Sequence, residues 1–127
     1  MKLKPTSFLP AIGWFILSFW LLTLPGSSLP QQDWFNKIQL DKWVHIAMFG
    51  TLVCLFYLPW KPVWDRSFWK KALFISFLAL GYGIAMEFVQ KYFIPNRSFD
   101  VWDIMADGIG SFLPFIWIRR RLVRVDE

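Results

Sequence analysis

Four apolar blocks, Phe8 to Leu24, Trp43 to Leu58, Ala72 to Ile94 and Ile104 to Ile118, interrupt the polar sequence of this chain. Crossing a hydrocarbon core of ~30 Å takes about 20 helical residues, and ~17 suffice. The first, second and fourth blocks are short by that measure. Trp43, Trp60, Trp102 and Trp117 stand at or near their ends, however, and indole rings settle at headgroup level, which lets short helices be accommodated. The expected fold is therefore all-α: an integral membrane bundle of four transmembrane helices, one domain over residues 1–127. Composition agrees with this reading. A soluble domain with 56% apolar residues, fourteen Phe and nine Trp could not hide its aromatic surface, because small domains bury a low fraction of what their chains expose.

Charge sets the expected orientation. Lys2, Lys4, Lys61, Arg66, Lys70, Lys71, Arg119, Arg120, Arg121 and Arg124 fall on one side of the spans, against Lys37, Lys42, Lys91 and Arg97 on the other. The side richer in Lys and Arg stays inside, so both termini are expected in the cytoplasm. The net charge of +5 is spread between apolar blocks and forms no single patch, which suits anionic lipid headgroups and argues against nucleic acid. Cys54 is the only cysteine and lies inside an apolar run. No disulfide within the chain can form, and the side chain reads as small packing or lipid-facing volume. The first block exceeds the ~7–15 apolar residues of a cleaved leader, so it reads as a span. Pro25, Gly26, Ser27, Ser28 and Pro30 make an irregular outer loop. Trp34, Phe35 and Ile38 then recur at helical spacing, the pattern of a short segment lying in the outer interface.

Ionisable groups at membrane depth are costly and mark functional sites by default. Asp41, Lys42 and His45 open the second apolar helix, with Asp41 and His45 on one face. Glu87 and Gln90 close the third, and Arg97, Asp100, Asp103 and Asp107 lead into the fourth. At 100° per residue the fourth helix aligns Asp100, Asp103, Asp107, Gly110, Ser111 and Pro114, and the third aligns Ser76, Ala79, Gly83, Glu87 and Gln90. Stripes of small and polar residues are how membrane helices pack closely, so these two are expected to face each other. With a rise of ~1.5 Å per residue, Glu87 stands about 24 Å above Lys71, His45 about 6 Å below Asp41, and Asp107 about 10 Å below Asp100. The three helices thus bring their ionisable groups to one level in the outer third of the membrane. Plainer roles compete: Asp41 would cap the second helix, Asp100 and Asp103 the fourth. Glu87, between Met86 and Phe88, requires a partner or a proton, with Arg97, Lys42 or His45 as candidates.

Asp41-Lys42-x-x-His45-x-x-x-Phe49, then Glu87-Phe88-x-Gln90, then Arg97-x-x-Asp100-x-x-Asp103-x-x-x-Asp107-x-x-Gly110 resembles the VanZ-like family of bacterial membrane proteins. The motif-bearing region runs over 40–114. The resemblance implies a multi-pass protein of the bacterial inner (cytoplasmic) membrane, acting in the cell envelope. Through the family's name member it also implies a link to resistance against the glycopeptide teicoplanin. One position departs from the family, which usually has Asn where this chain has Asp107; an amide donor is replaced by a group that donates only when protonated.

Two functions follow as expectations. In the first, the outer constellation binds a lipid headgroup, a lipid-linked cell-wall precursor or a partner protein. Lys42 and Arg97 would contact phosphate or carboxylate, Glu87 and Gln90 would orient them, and Asp41, Asp100 and Asp107 would complete the binding set. In the alternative, an intramembrane enzyme uses His45 as general base with the carboxylates Glu87 and Asp103. Asp41 or Glu87 would orient the imidazole and Arg97 would stabilise anionic charge. A divalent metal on His45, Glu87, Asp103 and Asp107 would extend that scheme, but one histidine without the spacing of a known metal class assigns no metal site, and no cofactor is legible. A proton pathway lacks titratable groups below Glu87 and Asp107, where the helices offer Ser76 and Ser111. A structural ion-pair network and a homodimer through the polar stripes stay open.

Overall fold

The computed structural model describes residues 3–29 and 33–124; Lys2 and Pro30 lie outside them, as does the side chain of Phe35. Helices α1 (Leu9–Leu22), α2 (Asp33–Lys37), α3 (Leu40–Tyr57), α4 (Phe68–Phe93) and α5 (Val101–Arg124) follow in order, and no strand occurs among the described residues. Extended by the 3-10 turns Pro5–Phe8 and Leu58–Val63, α1 and α3 join α4 and α5 as four helices long and apolar enough to cross a membrane. The short interfacial segment expected around Trp34 is α2, and Trp34 is exposed.

Helix ends sit where local chemistry puts them. Pro10 is tolerated in the first turn of α1, whose N–H groups have no intrahelical acceptor. Pro59 and Pro62 convert the end of α3 into a 3-10 segment. The Asp65 carboxylate accepts bonds from the backbone N–H (2.8 Å) and hydroxyl (2.6 Å) of Ser67, folding the turn that starts α4. Ile94 turns extended ahead of Pro95, Asn96 follows with φ 57°, and the Asp100 carboxylate caps α5 through the Trp102 N–H at 2.9 Å.

The two polar stripes do face each other, inside the chain. Ser76 donates to the Ser111 carbonyl at 2.7 Å, and a Cβ on Gly83 would meet the Asp107 carboxylate at 2.5 Å. The contact between α3 and α5 is closer still. A Cβ on Gly110 would collide with the backbone of Ile46 in α3 and reach Gly50 N at 3.1 Å, so only glycine permits this approach. Apolar packing fills the other end, where Phe68, Ile118 and Tyr57 are buried and Tyr57 donates to the Ala72 carbonyl. Phe74, Phe93, Trp20 and many other large apolar side chains point outward, as they must where lipid is the solvent. Cys54 is among the outward-facing residues.

Candidate functional site

The ionisable residues collect at the end of the bundle formed by the starts of α3 and α5 and the last turns of α4. Lys42 is the hub. Its Nζ lies 2.7 Å from Asp41, its neighbour in α3, and 2.7 Å from Asp100 and 2.6 Å from Asp103, so that two of its three charged hydrogen bonds tie α3 to the start of α5. Burial works against ionisation of Asp100, and the bonds from Lys42 and the Trp102 N–H outweigh it, holding that carboxyl below the usual carboxylate range. Asp41, Asp100 and Asp103 present oxygens within 4.8 Å of one another, the arrangement from which a cation could be held, and here the lysine ammonium bonds all three.

One turn deeper, His45 Nδ1 lies 2.7 Å from Asp107 Oδ1, and its Nε2 is 3.8 Å from Asp103 Oδ2. The aspartate that stands in place of an asparagine is therefore the partner of the imidazole. That bond needs an acceptor on the Nδ1 side, which Asn and Asp both provide. Asp107 takes the orienting position expected of Asp41 or Glu87. Glu87 is buried, and its partner is none of the three cations proposed for it: Oε2 accepts the backbone N–H of Asp100 at 2.9 Å. Gln90 orients no cation either, since its amide donates to the Leu22 carbonyl at 2.9 Å and pins α1 to α4. Asp41 does not cap α3, whose N-cap is Gln39 in a left-handed conformation.

Beside this network opens a cavity of about 340 Å³. Asp41, His45, Gln90, Arg97, Asp100 and Asp103 reach its wall, whereas Lys42, Glu87 and Asp107 stand behind it. The cavity therefore divides the nine candidates into six that a ligand could meet and three that hold the others in place. Its remaining lining was not foreseen. Leu21, Leu22 and Leu24 at the end of α1, with Leu29, Val44 and Met48, form an apolar wall, and Asn96 and Ser98 join Arg97 in the connection to α5. The loop after α1 is drawn to that connection by the Gly26 N–H, which donates to the Pro95 carbonyl at 3.0 Å where a Cβ would strike Asn96. Helix α1, which carries no motif, and the loop after it supply Leu21, Leu22, Leu24 and Leu29, four of the six apolar side chains of the pocket. A leucine facing a cavity and one facing lipid have the same composition, so no sequence signal separates them.

The residues at the cavity can do two things. Arg97 is half-buried and, among the described residues, forms no ion pair, leaving its guanidinium for an anionic group. His45, oriented from behind by Asp107, presents its Nε2 edge toward Asp103, the geometry of a base held by an orienting carboxylate. No curated protein and no solved structure gives a significant match to this sequence. A family model, VanZ/LLP1, matches residues 6–123. That span contains every helix that frames the cavity and every polar residue that lines it, and the chain, a multi-pass membrane protein, belongs to the VanZ/LLP1 family.

Proposed function

We propose that this protein binds the polar head of a membrane amphiphile in the cavity between α1 and the Lys42 network. The cavity itself carries the reading: six apolar side chains and the charged groups line it together, so a headgroup and the start of its hydrocarbon chain would both find complementary surface. Basic residues gather at the opposite end of the bundle, supporting cytoplasmic termini in the bacterial inner membrane with the cavity toward the outer leaflet. In that position lipids or lipid-linked wall precursors would be available to it, and a contribution to glycopeptide (teicoplanin) tolerance would follow from holding such a molecule. Mass spectrometry of the detergent-solubilised protein tests the reading. Lipid adducts should be retained by the parent protein and lost on Leu24→Trp, which fills the cavity, and on Arg97→Ala. Adducts unchanged in both variants would refute it.

The His45–Asp107 pair at 2.7 Å favours a second reading, an enzyme that modifies the bound amphiphile with His45 as general base. Incubating lipid extracts and lipid-linked wall precursors with purified protein should then give a product that His45→Ala abolishes. Binding without product would leave the first reading standing alone.

A further inference from the structure

The charges around the cavity are unequal in a way that specifies a ligand. Three carboxylates, Asp41, Asp100 and Asp103, share one ammonium, that of Lys42. Two of the three are exposed enough to accept more: the side chains of Asp41 and Asp100 retain 44% and 34% of their accessible surface, and both line the cavity. On the same cavity Arg97 carries a guanidinium with no carboxylate partner among the described residues. A purely anionic head would satisfy Arg97 and meet the surplus carboxylates unfavourably; a purely cationic head would do the reverse. A head carrying both signs relieves both.

From this mixed lining we propose that the cavity selects a zwitterionic amino-phospholipid, its phosphate on Arg97 and its primary ammonium on Asp41 and Asp100. The inference rests on the headgroup-binding reading above and narrows it to one chemical class. A primary ammonium has three N–H donors to divide between carboxylates, whereas a trimethylated one carries the same charge with none. Carboxylates that still have exposed oxygens discriminate between the two by hydrogen bonding, which adds to what charge alone supplies. The leucine wall, Leu21, Leu24 and Leu29, accounts for the lipid: a soluble phosphoamine would leave that surface wet.

The test is competitive binding to delipidated full-length protein in detergent, read by native mass spectrometry. The probes are phosphatidylethanolamine, phosphatidylcholine and phosphatidylglycerol with identical acyl chains, plus soluble phosphoethanolamine. Phosphatidylethanolamine should bind about tenfold more tightly than either other lipid, the scale of one charge-assisted hydrogen bond. Arg97→Ala should weaken phosphatidylethanolamine and phosphatidylglycerol alike, and Asp41→Asn should remove the preference for phosphatidylethanolamine while leaving phosphatidylglycerol binding intact or improved. Phosphatidylglycerol or phosphatidylcholine binding as tightly as phosphatidylethanolamine, in a manner that Leu24→Trp abolishes, overturns the zwitterion and leaves the headgroup site. Phosphoethanolamine competing as well as the lipid overturns the role of the leucine wall. Binding of all three lipids indifferent to Leu24→Trp and Arg97→Ala overturns the headgroup site as well. Should Asp41→Asn fail to fold, the ranking of the three lipids on the parent protein decides the zwitterion, and Arg97→Ala, whose side chain holds no part of the Lys42 network, decides the headgroup site.

Discussion

The two ends of the bundle carry charge in opposite ways. At one end, cations lie outside the packing and over aromatic rings: Lys70 and Arg119 approach Trp69, Lys71 lies 5.5 Å from the Trp60 ring and Arg121 5.4 Å from Trp117. At the other, Lys42 turns into the bundle and is bonded to three carboxylates, with His45, Asp107 and Glu87 buried behind it. Exposed cations over tryptophan suit a headgroup region and ask little of the fold. Inward charges must be matched group by group, since an unmatched one at that depth costs several kcal/mol. The difference teaches which end is specific. The basic end asks only for a cation near a ring, while at the network end Lys42, His45, Glu87 and Gln90 each have a defined partner and a cavity opens against them.

The largest expected contrast is between two lysines. Lys42→Met leaves three carboxylates around one point without their cation and should cost on the order of 3 kcal/mol, whereas Lys71→Met should cost less than ~1 kcal/mol. Thermal unfolding of the two solubilised variants measures both, and equal losses would break the comparison. Next comes the close approach of α5 to α3 that delivers Asp103 and Asp107 to the network. Gly110→Ala should destabilise by about 2 kcal/mol, because its Cβ meets backbone. Gly81→Ala, with nothing within 4 Å, should instead gain up to about 1 kcal/mol from helix propensity.

Smaller effects sharpen the contrast. Asp107→Asn keeps an acceptor for His45 Nδ1 and should cost less than ~1 kcal/mol, while Asp107→Leu leaves the buried imidazole unpaired and should cost ~1–3 kcal/mol. The smallest effect is one of pH. Both Asp100 at the network end and Asp65 at the basic end are held below their ordinary 3.8 in the folded protein, Asp65 by its bonds from Ser67. A lowered folded value means the stabilisation is complete above the unfolded value and is lost as pH falls through the folded one. Melting temperature should therefore drop at pH values below 3.8. Asp100→Asn should flatten that drop by removing a tie between α3 and α5; Asp65→Asn, in an exposed local turn, should leave it nearly unchanged.

How much of this was legible in the sequence depends on what each residue's signal is. The four spans were, because apolar length is additive along the chain, although α3, α4 and α5 begin before their apolar blocks and α5 runs beyond its own. The facing stripes that bring Ser76 to Ser111 and Gly83 to Asp107 were legible from helical period alone, whereas the approach of Gly110 to Ile46 and Gly50 in α3 was not. The gathering of nine polar residues at one end followed from counting rises along three helices. Their pairing did not, for Lys42, Arg97 and His45 were equally near Glu87 by sequence, and the structure gives that carboxylate a backbone N–H. Nor did the cavity, since Leu21 and Leu24 acquire their role from the docking of α1 and its loop, through bonds such as Gln90 to Leu22, Trp14 to Met48 and Gly26 to Pro95.

The most direct test of the central claim, that the network end is a binding end, is a crystal structure grown from a lipid phase containing a phospholipid brominated along its acyl chain. The account predicts a bromine peak beside Leu24 and Val44, with the lipid's phosphate at Arg97. Bromine found only along the outer aromatic belt, with the cavity closed or filled by water, would contradict it.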